Sequence, residues 1–491
     1  MIVQFQPSLR PALPEVFGAK DYRQFRDTLI EMDHILAATG LEDRLINERI
    51  SKLGGVNASA KRQQFHWRST RLALRYSILR ALTQEPFRVL ARQVADSLIF
   101  QWFTYTSFVD GVRPVSKSSA ERFEKYFTPE QIGTLVHSLN RAVADKQQVE
   151  ALLHSATELR FDRIYADTSC VKADIHFPVD WVLLRDAART LVKSIILIRE
   201  QGLRHRIGSP EQLMRDVNKR CIEMTHARKK PDSRKVRKAV FRQLKAQVRV
   251  IERHGRRYLE LLENGWEQTD WSELEKNVVA RRMRNVLDQL PQAVHQAHER
   301  IIGERRVNNK DKILSLYEHD IEVLVRGKAG AEVEFGNGLY LAEQDDGLIV
   351  DWELMKSKAV DAKLVKPSVT RIISNYGAID RYGADRGFDS PDASQSLEIE
   401  NVINSICPRS VATFNEKLQD PGFCADQQRR AATEGRIGIF KNNYLGRPMR
   451  SKGFAHRNTH VTWCVLAHNL WKLASMAVEN KQQIERQRKA A

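Results

Sequence analysis

Apolar residues recur at helical spacing through the first 150 residues of the chain. Leu74, Ile78 and Leu82 lie four residues apart, and the stretch from Phe87 to Phe103 has the same periodicity. This spacing places apolar side chains on one face of an α-helix. The sequence therefore predicts an N-terminal helical domain over residues 1–150, with a role in DNA binding or dimerisation.

Two short helices are predicted around the loop Gly111–Ser119, with Ser119 as the expected cap of the second helix. Basic side chains lie on both sides of this loop. Such a pair would serve as a helix-turn-helix that reads DNA. A helical bundle that only packs or dimerises is the alternative, and the modest number of basic residues favours it.

The pattern changes to apolar–polar alternation at Arg160–Ser169, which is typical of a β-strand. A long helical tract follows, from about Trp181 to Lys312, with apolar stripes at i, i+4 spacing. The sequence therefore predicts a mixed α/β domain over residues 155–181 and 313–478. A basic helical insertion, residues 182–312, interrupts it after its first strand, and a polar tail covers residues 479–491.

Alternation returns beyond the insertion, where Asn337-Gly338 and Asp346-Gly347 are dipeptides that close β-hairpins. Helices are expected after these hairpins and near the end of the chain, the last two beginning near Ala425 and Val461. The predicted strands are Ile321–Arg326, Ala331–Ala342, Gly347–Leu354, Arg381–Asp385 and Val402–Ile406.

Charge is unevenly distributed along the chain. The 79 Lys and Arg against 61 Asp and Glu give a net charge of +18. The segment Arg215–Arg257 holds 16 of these cations and only four acids. Such an excess favours a polyanionic partner, most often nucleic acid, with a solvated helix face as the alternative. The candidate DNA contacts in this segment are Arg234, Lys235, Arg237 and Lys238.

The remaining composition argues against a disordered, membrane-spanning, secreted or zinc-binding protein. The chain is 42% hydrophobic and 29% charged, which is typical of a folded protein and not of a disordered one. It contains no apolar run long enough to cross a bilayer and no secretion signal at its start. The five cysteines form no CxxC pair or zinc pattern. We therefore expect a cytoplasmic protein without a membrane partner.

Three acidic residues lie where metal-dependent chemistry is commonly built. Asp167 and Asp385 are at the predicted ends of two strands, and Glu434 is on the first C-terminal helix. Carboxylates at neighbouring strand ends can converge on hard cations such as Mg²⁺. Two such ions activate an attacking oxygen and stabilise a leaving one at a phosphodiester. Each residue taken alone is more often a turn or a helix cap.

Arg430 and Lys441 extend the Glu434 motif. The spacing i, i+4, i+11 places all three side chains on one helix face. They are either an ordinary surface ion-pair set or a metal ligand flanked by two phosphate contacts. Gly435 and Gly438 favour the second interpretation, because glycines weaken a helix but allow a DNA backbone to approach closely.

Other acidic residues of the sequence could compete with these three as metal ligands, but a structural role is expected for each. Asp351 and Glu353, beyond a hairpin turn, are expected to be exposed to solvent. Asp389 precedes Ser390-Pro391 and is expected to cap a helix. His176, near Asp180, is expected to have a structural role.

Several motifs together resemble one family, the DDE transposases of bacterial insertion sequences, which have an RNase H-like catalytic core. The resemblance covers roughly residues 155–475 and departs from the family at Gln427, where many members have a tyrosine. The motifs that carry it are Ala166-Asp167-Thr168, Ile175–Asp180, Ala384–Ser390, Arg430-x3-Glu434-x6-Lys441 and Arg457–Leu473.

The resemblance implies an RNase H-like mixed sheet with flanking helices. Asp167, Asp385 and Glu434 would bind Mg²⁺, for which Mn²⁺ would substitute, and Arg430 and Lys441 would hold the transposon end. The partners would be double-stranded DNA, as terminal inverted repeats and target, and a second copy of the chain, at the bacterial nucleoid. The alternatives are an RNase H-like nuclease without strand transfer, or a non-enzymatic DNA-binding protein derived from a transposase.

Overall fold

The computed structural model describes residues 10, 12–52, 59–108, 111–227, 231–328 and 331–490. The chain forms two compact units. The first combines Met1–Lys172 with Asn337–Ala491, and the second is Ala173–Gly336. The second unit is therefore inserted into the sequence of the first. Among the described residues, no helix is both long enough and apolar enough to span a bilayer.

The N-terminal part of the first unit is helical, as its apolar spacing predicts. Leu74 and Ile78 are buried. Ser116 caps α6 by accepting a hydrogen bond from the Ser119 backbone N–H (3.2 Å), so the prediction that Ser119 is the cap was wrong. The described elements are α1 (Lys20–Ala38), α2 (Leu41–Lys52), α3 (Ala60–Thr83), α4 (Phe87–Asp96), α5 (Leu98–Thr104), β1 (Ser107–Phe108), β2 (Gly111–Val112), α6 (Lys117–Phe123), α7 (Pro129–Ala144), α8 (Lys146–Leu153) and β3 (Arg163–Lys172).

Four long helices and a β-ribbon make up the second unit. They are α9 (Asp180–Glu200), α10 (Pro210–Ala227), α11 (Ser233–Gly265), α12 (Glu273–Ile301), β4 (Glu322–Lys328) and the start of β5 (Ala331–Gln344). The predicted apolar stripes supply the core, in which Leu184 and Leu244 are fully buried. A Cβ at Gly255 would lie 3.2 Å from Leu191, so this glycine permits the close approach of α9 and α11.

The second part of the first unit completes the α/β arrangement. Its elements are β6 (Ile349–Met355), α13 (Val365–Tyr376), β7 (Arg381–Ala384), α14 (Pro391–Ile399), β8 (Ile403–Ile406), α15 (Val411–Lys417), α16 (Pro421–Phe440) and α17 (Phe454–Ala490). Buried residues of α1–α8, of the strands and of α17 belong to one continuous hydrophobic core. The N-terminal helices therefore share their core with the sheet.

The sheet is mixed, which agrees with the predicted α/β class. Strands β5, β3, β7 and β8 are neighbours in that order, and β6 also pairs with β5. Strand β7 runs parallel to both β3 and β8, whereas β5 and β6 form an antiparallel hairpin. Gly347, with φ +86°, lies at the turn of this hairpin, as its Asp-Gly dipeptide predicts.

Two sequence predictions about element boundaries were wrong. Asn337-Gly338 forms no turn, because β5 continues through it. The buried Asn337 side chain donates to the Met355 carbonyl (3.0 Å) and accepts from Arg457 Nε (2.9 Å), which fixes it inside the core. The expected tail after residue 479 is the last part of α17, where Lys481 Nζ donates to Glu31 Oε1 (2.6 Å).

Candidate active site

The register of two parallel strands brings Asp167 and Asp385 together. Ala166 of β3 pairs with Ala384 of β7, so the two aspartates occupy the next position on adjacent strands. Strand β7 ends at Ala384, but β3 continues to Lys172. Asp167 therefore lies within its strand and not at the strand end that the sequence predicted, although pairing with β7 stops just before it.

Backbone hydrogen bonds orient both carboxylates. Asp167 Oδ1 accepts from the Thr168 N–H (2.7 Å), and Asp385 Oδ1 accepts from the Gly387 N–H (2.8 Å) at the start of a 3-10 turn. Both aspartates are half-buried. The side chains are thus held in place and retain access to solvent.

Helix α16 carries Glu434 and is fixed to the sheet by a buried carboxylate. Asp426, 1% exposed, accepts hydrogen bonds from Tyr165 of β3 (3.1 Å), Arg381 of β7 (3.1 Å) and Ser405 of β8. One side chain thereby joins the helix to three strands. Sequence reasoning missed Asp426, because an acid within a helix gives no signal that it is buried.

A second set of contacts continues along the same helix face, through Arg429 and Thr433 in the middle of α16. Arg429 donates to Glu343 Oε1 (3.0 Å) and to the carbonyls of Gln344 and Asp345, at the end of β5. Thr433 donates to the same Glu343 oxygen (2.8 Å). These bonds fix the rotation of α16, whereas Glu434, one residue beyond Thr433, is exposed.

The three predicted carboxylates interact electrostatically. Burial and the negative charges of Asp385 and Glu434 together raise the pKa of Asp167 to about 6, against the lowering effects of the Thr168 N–H and Arg430. A carboxyl group whose pKa is raised by neighbouring carboxylates is typical of a functional site. We call the set Asp167, Asp385 and Glu434 the carboxylate edge.

The donor chemistry of the carboxylate edge fits a hard divalent cation, because Mg²⁺ prefers carboxylate oxygens. Within the described part of the chain, however, no three His, Cys, Asp or Glu side chains are grouped closely enough to hold a metal ion. Magnesium binding by Asp167, Asp385 and Glu434 therefore stays a prediction.

The two predicted basic partners have different surroundings. Arg430 is half-buried, and its Nε donates to Gln427 Oε1 (3.2 Å). Lys441 is only 6% exposed, and its Nζ donates to Ser169 Oγ (2.9 Å), two residues beyond Asp167 on β3. The regular α-helix ends at Phe440, and Lys441 begins a π-helical turn. In this structure Lys441 thus links that turn to the strand of Asp167.

Sequence reasoning also missed a fourth carboxylate beside the carboxylate edge. Asp361 Oδ1 accepts a hydrogen bond from Thr168 Oγ1 (3.1 Å). Asp361 Oδ2 and Asp385 Oδ1 each lie 2.9 Å from the point where a Cβ of residue 387 would stand, so any larger residue there would displace these carboxylates. Burial raises the pKa of Asp361, and Asp385 contributes to that rise. Its partner Thr168 is distant in sequence, so no local pattern marks Asp361.

Two of the rival carboxylates differ from expectation. Asp351 is buried and forms two 2.8 Å bonds with Arg371, so the expectation of exposure was wrong. Asp389 does not cap α14, because Ser390 accepts the capping bond from Ala393. Asp389 instead accepts from the Arg409 N–H (2.8 Å).

Glu353, His176 and Asp180 were also considered as candidate site residues. Glu353 is half-exposed beside Arg371. His176 is exposed, and the buried Asp180 accepts from Arg300 and Gln296, each at 2.9 Å. These bonds give Asp180 a structural role in the second unit.

The four predicted DNA contacts of the second unit lie in the first turns of α11. Arg234 and Lys235 are exposed, whereas Arg237 and Lys238 are half-buried. Arg237 lies over the Trp181 ring (5.5 Å), and Lys238 forms an ion pair with Glu304 (2.8 Å). The predicted set is therefore not one uniform charged surface.

Comparison of the chain with protein-family models, with curated proteins and with solved structures found no match. The register of β3 and β7 places Asp167 and Asp385 at neighbouring positions, and Glu434, from a distant part of the sequence, contributes to the raised pKa of Asp167.

Proposed function

We propose that the chain is a DDE-type DNA transposase, which cleaves a phosphodiester at an element's end and joins the freed 3′-hydroxyl to target DNA. The observation that carries the proposal is the placement of Asp167 and Asp385 at neighbouring positions of two adjacent parallel strands. Glu434 on α16 contributes, with Asp385, to the raised pKa of Asp167. The mixed sheet, its flanking helices and the insertion after β3 support an RNase H-like catalytic core.

The side chains of the carboxylate edge would act by positioning and by charge. Bound Mg²⁺ would supply activation of the attacking oxygen and stabilisation of the leaving one. Asp167 and Asp385 would hold the cation beside the sheet, and Glu434 would contribute a further oxygen ligand from α16. Arg430, which opposes the charge of the edge at Asp167, would bind phosphate at the element's end.

The proposed partners follow from the reaction. Double-stranded DNA is both the element's end and the target, and bringing two ends together requires at least a second copy of the chain. Mn²⁺ would replace Mg²⁺, whereas Ca²⁺, which binds oxygen ligands in looser geometry, would not support the reaction. The place of action would be the bacterial nucleoid.

A strand-transfer assay tests this proposal against the nuclease alternative. A labelled duplex from the DNA that flanks the reading frame, ending in a free 3′-hydroxyl, is incubated with the protein, Mg²⁺ and a target plasmid. We expect covalent joining of the label to the plasmid. Nicking without joining would favour an RNase H-like nuclease, and DNA binding without either reaction would favour a non-enzymatic DNA-binding protein.

A further inference from the structure

The second unit contains a cleft of about 780 Å³ whose walls are strongly basic. It lies between the first turn of α11, the last turn of α12 and the segment that follows α12. Six cations line it together with one acid and four uncharged residues: Arg234, Arg237, Arg300, Arg305, Arg306, Lys312, Glu304, Ile301, Val307, Asn309 and Val333. We call this set the basic cleft.

Part of this charge is neutralised within the protein. Arg300 pairs with the buried Asp180 (2.9 Å), Arg305 pairs with Glu299, and Glu304 pairs with Lys238 (2.8 Å). Those ion pairs fix the walls of the cleft. They leave its net charge positive.

Other cations of the cleft lack such partners. Within the described ranges, no acidic side chain lies at ion-pair distance from Arg234 or Arg306, and both are exposed. The Nε of Arg237 is buried and has no hydrogen-bond acceptor among the described residues. A buried guanidinium donor without an acceptor is costly. The exposed Arg234 and Arg306 are the side chains that an anion in the cleft would contact.

Crowding of like charges is also visible at Lys312. Burial lowers the pKa of Lys312 and the neighbouring Arg300 lowers it further, whereas Asp180 raises it. An anion beside Lys312 and Arg300 would offset the repulsion between these two cations. No aromatic residue is among those that line the cleft, so it offers no platform on which a base could stack.

We propose that the basic cleft binds the phosphate backbone of DNA without regard to base sequence. The ligand class follows from several cations around an open cleft without base-stacking surfaces. The inference shares its substrate, DNA, with the proposed function and rests on it to that extent, but it does not depend on chemistry at the carboxylate edge. The inference also separates the four DNA contacts predicted from sequence into two pairs. Arg234 and Arg237 line the cleft, whereas Lys235 and Lys238 do not.

A comparison of two double variants of the full chain tests the inference. Arg234→Ala with Arg306→Ala removes two exposed cations of the cleft. Arg242→Ala with Arg249→Ala removes two exposed cations of α11 that do not line it. Binding of labelled duplex and single-stranded DNA of unrelated sequence is measured by fluorescence anisotropy in EDTA, from low to high salt, with thermal melting as the control for folding.

We expect the cleft variant to have a shallower slope of log affinity against log salt on duplex DNA, by roughly 0.9 for each phosphate that the protein no longer neutralises. The matched variant should keep the slope of the unmodified chain. Equal changes in both variants, or no change in either, would overturn the inference. Release of the DNA by low millimolar inorganic phosphate would show that the cleft holds a free anion and not a backbone.

The same measurements separate this inference from the proposed function. Binding in EDTA requires no cleavage or joining. A cleft-dependent salt slope in a protein without strand transfer would leave the inference intact and contradict the proposed function. Strand transfer by the unmodified chain, with the same salt slope in both double variants, would support the proposed function and contradict the inference.

Discussion

The carboxylate edge and the basic cleft hold opposite charges in opposite physical settings. At the carboxylate edge, Asp167 is half-buried, and neighbouring acids help to raise its pKa to about 6. In the basic cleft, Arg234 and Arg306 are exposed, and ion pairs neutralise Arg300 and Arg305. Exposed like charges cost little in water, whereas like charges at a partly buried site are costly. The raised pKa of Asp167 therefore reflects a cost of like charge that the exposed Arg234 and Arg306 do not incur.

The largest expected effect is on the reaction at the carboxylate edge. Asp167→Asn, Asp385→Asn and Glu434→Gln should each reduce cleavage and joining by more than about 100-fold, or roughly 3 kcal/mol of transition-state stabilisation. DNA binding in EDTA should remain, because these variants remove no cation. The measurement is strand transfer alongside anisotropy.

The matched control for this series is Glu353→Gln, at a half-exposed carboxylate beside Arg371. It should retain activity. A near-normal rate in any of these three variants would exclude that residue from the carboxylate edge. The contrast in charge between the carboxylate edge and the basic cleft would then have no functional meaning.

A smaller effect on activity is expected from Gly387→Ala, which tests whether the position of Asp361 matters to the reaction. The added Cβ would lie 2.9 Å from oxygens of both Asp361 and Asp385, so these carboxylates must move. We expect an activity loss on the order of tenfold, since small misplacements of reacting groups are costly. The expected cost in stability is about 1–3 kcal/mol.

Gly435→Ala provides the matched control for the stability of Gly387→Ala. A Cβ at Gly435 meets nothing within 4 Å, and the residue lies within α16. Alanine there should stabilise the protein by about 0.5–1 kcal/mol. Equal melting temperatures for the two variants would show that the crowding at Gly387 is relieved without cost.

The smallest expected effect is a pH-dependent change in stability without metal. The pKa of Asp167 is raised from 3.8 to about 6, so the folded protein binds this proton more tightly than the unfolded chain does. Stability is therefore lost as pH rises through about 6. Asp167→Asn should melt at a higher temperature than the unmodified chain at pH 7.5 in EDTA, and the difference should disappear near pH 4.

Asp145 gives a control of opposite sign for that experiment. A hydrogen bond from the Gln147 backbone N–H lowers the pKa of Asp145, so its stabilising effect is present at neutral pH and lost on acidification. Asp145→Ala should therefore melt at a lower temperature at pH 7.5. A higher melting temperature for the unmodified chain than for Asp167→Asn would contradict the electrostatic account of the carboxylate edge.

Sequence predicted the elements that hold the carboxylate edge better than it predicted burial. Alternation and helical spacing identified β3, β7 and α16. Asp167, Asp385 and Glu434 stay the predicted site, of which the strand register brings Asp167 and Asp385 to neighbouring positions. Asp361 and Asp426 were missed, because their importance depends on partners far away in sequence, such as Thr168 and Tyr165.

Errors arose where tertiary contacts override local signals. The dipeptide Asn337-Gly338 is typical of a hairpin turn. In the structure, however, the Asn337 side chain donates a hydrogen bond to Met355 and accepts one from Arg457, and these bonds hold it in a strand. Asp351 resembles an exposed acid until Arg371 is brought against it. In the second unit, a linear count of basic residues could not separate Arg234 from Lys235, because the cleft is completed by residues 300–312.

The discontinuity of the first unit has a consequence for synthesis on the ribosome. Among the described residues, the buried members of the large core in the second unit lie between Trp181 and Leu316, so this core is complete soon after that segment emerges. The helices of residues 20–153 share their core with α17, which begins only at Phe454 and is therefore made much later. At about 5–20 residues per second, they wait on the order of tens of seconds for this partner. During that interval the newly made N-terminal helices expose apolar surface that a chaperone would have to cover.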